Sequence, residues 1–143
     1  MLLINVKSYS QIVVDKAGDS WDFKVYEALA LIKSTDTEVY NNVLTHCDRI
    51  TFWSGGYSTN EGYPNKKGTI IISSTDAKYN SINNIAAIIV HESLHLYYRY
   101  NDINVSNEER KCYIYEYEFL VKVPNIDPFL LKHCLNQIQL RSN

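Results

Sequence analysis

The sequence has no apolar run approaching the roughly 18 residues that suggest a membrane span. Its N-terminal stretch, Met1-Leu2-Leu3-Ile4-Asn5-Val6-Lys7, is too short for a secretory signal and has no basic region before it. No acidic or basic run stands out, and the formal net charge is -2. A nucleic-acid partner calls for a clustered basic surface, so neither a nucleic-acid nor a membrane partner is expected. Cysteine is scarce: Cys47, Cys112 and Cys134 form no close pair and no CxxC. An odd, scattered set suits reduced thiols better than a disulfide framework, and a cytoplasmic location is expected. Repeats and low-complexity segments are also lacking.

What is there reads as one compact domain spanning residues 1–143. Hydrophobic residues make up 45% and charged residues 21%, the balance of an ordinary globular protein able to form a core without staples. Tyrosine, at 12 residues, is over-used, and amphipathic packing accounts for most of these rings.

Leu2 to Val6 and Gln11 to Val14 read as short strands. Trp21 to Lys33 has helical spacing, with Phe23, Tyr26, Leu29, Ala30 and Lys33 sharing a face. Thr35 and Glu38 fit a capping box for a helix to about His46, with Val39, Val43 and Leu44 inward. His46 ends that helix, where the dipole favours a cation. Ile50 to Trp53 reads as a strand, Gly55 to Gly68 as a loop or long hairpin connection, and the β-branched Thr69-Ile70-Ile71-Ile72-Ser73 as the clearest strand. Asn80-Ser81 caps a helix from about Ile82 to Tyr100, apolar all round at Ile85 to Val90 and therefore buried. A helix over Asn107 to Val121 follows. Asp127-Pro128 opens a last one, with Leu130, Leu131, Cys134 and Ile138 inward. The expected fold class is α+β, a short mixed sheet packed on the central helix with further helices after it.

His91-Glu92-Ser93-Leu94-His95 is an HExxH sequence. An α-helix turns about 100° per residue, so positions four apart stack on one face. The two imidazoles can therefore reach one zinc ion at about 2.0–2.1 Å. Glu92, one step round the helix, lies close enough to take a proton from a water at that ion. By chance the motif arises in a chain of this length on the order of 0.5% of the time, so its place on a buried helix is informative.

At these residues the sequence resembles the zincin metallopeptidases, their gluzincin branch in particular. The resemblance covers roughly Thr69 to Leu120: a strand, the HExxH helix and a second helix with acidic residues. It implies a small zincin-like domain, a Zn2+ cofactor, and hydrolysis of peptide bonds in a peptide or protein substrate. It also implies that Thr69 to Ser73 is the edge strand along which substrate pairs. The metzincin variant is set aside, because the positions it needs for Gly and His hold Tyr98 and Asn101.

A catalytic zinc wants three protein ligands and an open position. Glu109-Arg110-Lys111-Cys112-Tyr113 resembles the gluzincin Glu-x-x-Ala-Tyr setting, with Cys112 as the small residue, and implies Glu109 as third ligand. Ser106 and Glu109 also fit a capping box, in which case Glu108 or Glu116 takes the ligand role. His133 and Asp102 are outsiders, and no Asn-Glu-x-x-x-Asp pattern is present. The expected set is His91, His95 and Glu109 on the metal, with Glu92 as base. The alternatives are a zincin-fold binding protein without activity and a helical interaction module.

Overall fold

The computed structural model describes residues 12–16, 22–54, 58–60 and 64–142. The described residues form an α+β fold of six helices and a four-stranded sheet. In chain order these are β1 (Val13–Val14), α1 (Asp22–Thr35), α2 (Thr37–His46), β2 (Cys47–Trp53), β3 (Ser58–Asn60), β4 (Gly68–Ser73), α3 (Ser74–Tyr79), α4 (Ile82–Tyr100), α5 (Glu108–Leu120) and α6 (Pro128–Leu140). The sheet order is β1-β2-β4-β3; β1, β2 and β4 run parallel and β3 runs antiparallel to β4. The strand expected at Leu2 to Val6 lies outside the described residues, as does Trp21.

Helix α4 is the axis of the molecule. Ser81 caps it, its hydroxyl accepting a hydrogen bond from the Asn84 N–H at 3.2 Å. Ile85 to Ser93 are all buried, which agrees with the all-round apolar pattern. The helix packs against α1, α2, α5 and β4. Its rotation is fixed from behind: the Asn42 amide of α2 donates to the Ser93 hydroxyl at 3.2 Å, and that hydroxyl donates to the Val90 carbonyl at 2.7 Å. Ile70 and Ile72 of β4 and Ile50 of β2 complete the core, all fully buried.

Several expectations need correction. The inward stripe of α1 is Val25, Ala28 and Ile32, whereas Phe23 and Tyr26 are more than half exposed. The sheet and α4 select the aliphatic stripe, which packs more closely than the aromatic one. The N-cap of α2 is Asp36, not Thr35: its carboxylate accepts from the Glu38 and Val39 N–H groups, both at 3.1 Å. His46 is not a solvated cation at a helix end. It is buried between the Tyr97 and Tyr100 rings, and burial pushes its pKa down. Gly68–Ser73 is not an edge strand, since β3, within the stretch read as a loop or long hairpin connection, pairs antiparallel along its outer side. The single-turn-and-a-half helix α3 has too few residues to show a period and was not anticipated.

Candidate metal centre

His91 and His95 project from α4 toward α5, and both are buried. Their rings lie 5.3 Å apart between centroids. Each ring is held at both edges. His91 Nδ1 meets Glu116 Oε2 at 3.0 Å, and His95 Nδ1 meets Glu108 Oε2 at 2.6 Å. The opposite edges converge on a single carboxylate: Glu109 Oε2 is 3.4 Å from His91 Nε2, and Glu109 Oε1 is 2.7 Å from His95 Nε2. Two imidazoles fixed by carboxylates at Nδ1, with both Nε2 atoms turned to one further carboxylate, is the arrangement that orients histidines toward a metal.

The donor spacing agrees. Two donors on a tetrahedral zinc with bonds of about 2.05 Å stand about 3.3 Å apart. The Nε2–carboxylate separations, 2.7 and 3.4 Å, bracket that value. Glu109, expected as third donor, thus stands within that spacing of both rings. Glu108 and Glu116, the other acids considered for that role, instead anchor the Nδ1 edges. The capping-box use of Glu109 is not formed: the N-cap is Asn107, in the left-handed region at φ 54°, and its side chain makes no cap hydrogen bond. Asn tolerates that conformation better than most residues.

Further contacts brace the anchors. Arg99 Nη1 lies 3.2 Å from Glu108 Oε2 and donates to the His95 carbonyl at 3.1 Å, tying Glu108 back to α4. The buried Cys134 thiol of α6 donates to Glu116 Oε1 at 3.2 Å. Three helices thus share one chain of contacts, from Cys134 through Glu116 to His91. Sequence reasoning missed these roles. The signal was indirect: α4 and α5 form an antiparallel pair joined by a short loop, which sets Glu108 opposite His95 and Glu116 opposite His91.

Cys112 is a further donor that the resemblance treated only as a small residue. Its Sγ and one ring nitrogen of each histidine all lie within 4.8 Å of one another. Burial pushes its thiol pKa well up, so without a metal it is a neutral group in the α4–α5 seam.

The carboxylates around the rings favour positive charge on His91. Burial disfavours charge on His91, but hydrogen bonds to Glu109 and Glu116 outweigh it and raise its pKa to about 9. The reciprocal bond to His91 lowers Glu109 to about 2, although that carboxylate is half exposed. A proton on His91 thus occupies the place a metal would take. Glu92 is buried, and burial raises its pKa even though the charges of His91 and His95 act against the rise.

A cleft of about 570 Å³ opens beside Glu92 and His91. It lies between α4, which contributes Asn84 and Ile88, and α6, which contributes Phe129, Leu130, Lys132, His133 and Asn136. Tyr113 sits in its wall with its ring 4.4 Å from that of His91, nearly edge-on. His133 lines the cleft and is exposed. Asp102 is an exposed turn residue after α4. No helix among the described residues is long and apolar enough to cross a membrane.

No protein-family model matches the chain, and searches of curated proteins and of solved structures return no match. Its functional reading rests on its own residues.

Proposed function

We propose that this chain is a zinc-dependent peptidase of the zincin type, with His91, His95 and Glu109 holding the metal and Glu92 as general base. The observation that carries the reading is the pair of carboxylate-anchored imidazoles whose Nε2 atoms converge on Glu109. Zinc held by these residues would supply Lewis acidity, polarising a carbonyl and bringing the pKa of a water from about 15.7 to near 7.

The chain's own residues supply the rest. Glu92 faces the cleft from the buried side of the same helix. Its raised pKa brings it nearer to neutral pH, so it can take a proton from the attacking water and return it to the leaving amine. With an ion bound, Glu108 and Glu116 would accept from Nδ1–H of the two rings and leave each Nε2 free to face it. The substrate class, peptide or protein, is what the resemblance to zincins implies. The three buried, unpaired thiols suit a reducing cytoplasm.

Metal analysis of the wild type beside His95→Ala, Glu109→Ala, Cys112→Ser and Glu92→Gln tests the assignment, together with digestion of a mixed peptide library. The expected result is about one zinc per chain in the wild type, Cys112→Ser and Glu92→Gln, and loss of zinc in the other two. Glu92→Gln should lower cleavage by roughly 10²–10⁴-fold with its zinc retained. Loss of zinc in Cys112→Ser with retention in Glu109→Ala would move the third ligand to Cys112. A chain that takes up no zinc defeats the reading, and one that holds zinc but cuts nothing is a binding protein on the same scaffold.

A further inference from the structure

We infer that the cleft beside Glu92 selects peptides that carry a carboxylate next to a large apolar side chain, with Lys132 pairing with the carboxylate and Phe129 covering the apolar group. The inference takes the position of the scissile bond from the peptidase reading above; the rest stands on the cleft itself.

One face of α6 forms a wall of the cleft. Phe129, Lys132, His133 and Asn136 follow the spacing of a single helical stripe, and all four line the cavity. The helix contains no acidic residue from Pro128 to Leu140, so nothing on its own surface neutralises Lys132. Three acids, Asp76, Glu92 and Glu116, line the same cleft. Asp76 accepts from the Asn80 amide at 2.8 Å, and Glu116 is held by His91 and Cys134. Glu92 is buried in α4. None of the ion pairs among the described residues involves Lys132. The cleft thus presents a lysine without a counter-ion on the wall opposite the catalytic carboxylate.

Beside it stands an aromatic ring left in water. Phe129 is 77% exposed although it opens onto a cavity that also contains Leu130 and Ile88. An exposed aromatic of this size is a favourable surface for an apolar side chain. Phe129 and Lys132 are three residues apart on one helix face, so adjacent groups of one ligand can meet both. A carboxylate is the complementary charge for the lysine, and at this exposed wall the attraction is modest and screened by salt. Two sources in a peptide supply it: an Asp or Glu side chain, or the chain's own C-terminus.

The test uses quenched-fluorescent peptides on one cleavable scaffold. Glu is exchanged for Gln at each flanking position in one arm, and the C-terminal acid for an amide in the other. The wild type and Lys132→Glu are assayed for kcat/KM, with zinc content measured alongside. The same peptides are titrated into Glu92→Gln, with and without Lys132→Glu, to obtain Kd without turnover. The wild type should favour the carboxylate-bearing peptide by about fivefold, the upper range for a partly exposed pair. Lys132→Glu should abolish or reverse that preference at unchanged zinc content, and higher salt should weaken it. Phe129→Ala should weaken discrimination between Leu and Ala at the neighbouring position. Whichever arm responds identifies the source of the carboxylate. Equal values for acid and neutral peptides in both arms overturn the inference, as does a preference that survives Lys132→Glu or the absence of any binding. A binding preference in Glu92→Gln without cleavage by the wild type leaves the cleft assignment standing and removes the peptidase reading.

Discussion

Glu109 and Glu116 lie on one face of α5, two turns apart, yet they meet opposite edges of the same ring: Glu116 at His91 Nδ1 and Glu109 at His91 Nε2. The first contact orients the ring, and the second lies where the proposed ion would sit. Anchoring carboxylates of this kind are commonly worth 10–100-fold in metal affinity, so Glu116→Gln should weaken zinc binding by about tenfold or more. Cys134→Ala should cost less, a few-fold, because it frees only Oε1 and leaves the bond to His91 in place. Competition against a chelator of known affinity measures both. An unchanged affinity in Glu116→Gln would show that His91 is oriented by packing alone. The sequence made the two histidines and Glu92 legible because a helix fixes their relative directions without help from the rest of the chain. Glu109 was legible only through the resemblance. The division of labour among Glu108, Glu109 and Glu116 was not, because it depends on the depth at which α5 crosses α4.

Helices whose ends are set by local chemistry were read closely, and faces chosen by tertiary packing were not. The bounds expected for α4 are those observed, from Ser81 as cap to Tyr100. Asp127-Pro128 likewise starts α6, with the Asp127 carboxylate accepting from the Phe129 N–H at 2.9 Å. The apolar stripe of α1 is ambiguous because two faces carry apolar residues, and only tertiary packing, chiefly against α4, decides between them. At the start of α2 the cap shifts by one residue to Asp36, which also binds Lys122 beyond α5 with Nζ 2.6 Å from Oδ2. Burial pushes the Asp36 carboxyl up, but the hydrogen bonds from Lys122, Val39 and Glu38 outweigh it and hold its pKa below the usual 3.8. A carboxyl depressed in the folded state contributes stability above its unfolded pKa and loses it as pH falls through the folded one. Asp36→Ala should therefore cost about 1 kcal/mol at pH 7, a typical N-cap loss. The difference should shrink as the pH falls below about 4. Urea melts at pH 7 and pH 3 measure it, and a cost independent of pH would locate the effect in packing instead.

Across the whole molecule, the candidate metal centre and the core share one helix. The face of α4 that carries His91 and His95 turns to α5, while Ile85, Ile89 and Val90 belong to the cluster built with α1, α2 and the sheet. The site sits in the seam between α4 and α5, and α6 is tied to that seam through Cys134. An unfolded chain cannot place His91, Glu109 and their anchors together, so a cation gripped by them binds the folded state alone. Free zinc at 100 times its Kd then adds about 2.7 kcal/mol to stability. For a chain of this size that raises Tm by roughly 8–10 °C, and a chelator should reverse it. The same addition should leave His95→Ala or Glu109→Ala unmoved. Cys47→Ser is the control, since that thiol is buried at the start of β2, donates to the Arg49 carbonyl at 3.2 Å and lies outside the site. It should keep the full zinc response from whatever lower baseline it starts. Differential scanning fluorimetry with zinc and then EDTA resolves shifts of this size. A wild-type Tm indifferent to both additions would mean that the convergence of the two imidazoles on Glu109 is satisfied by a proton and holds no metal.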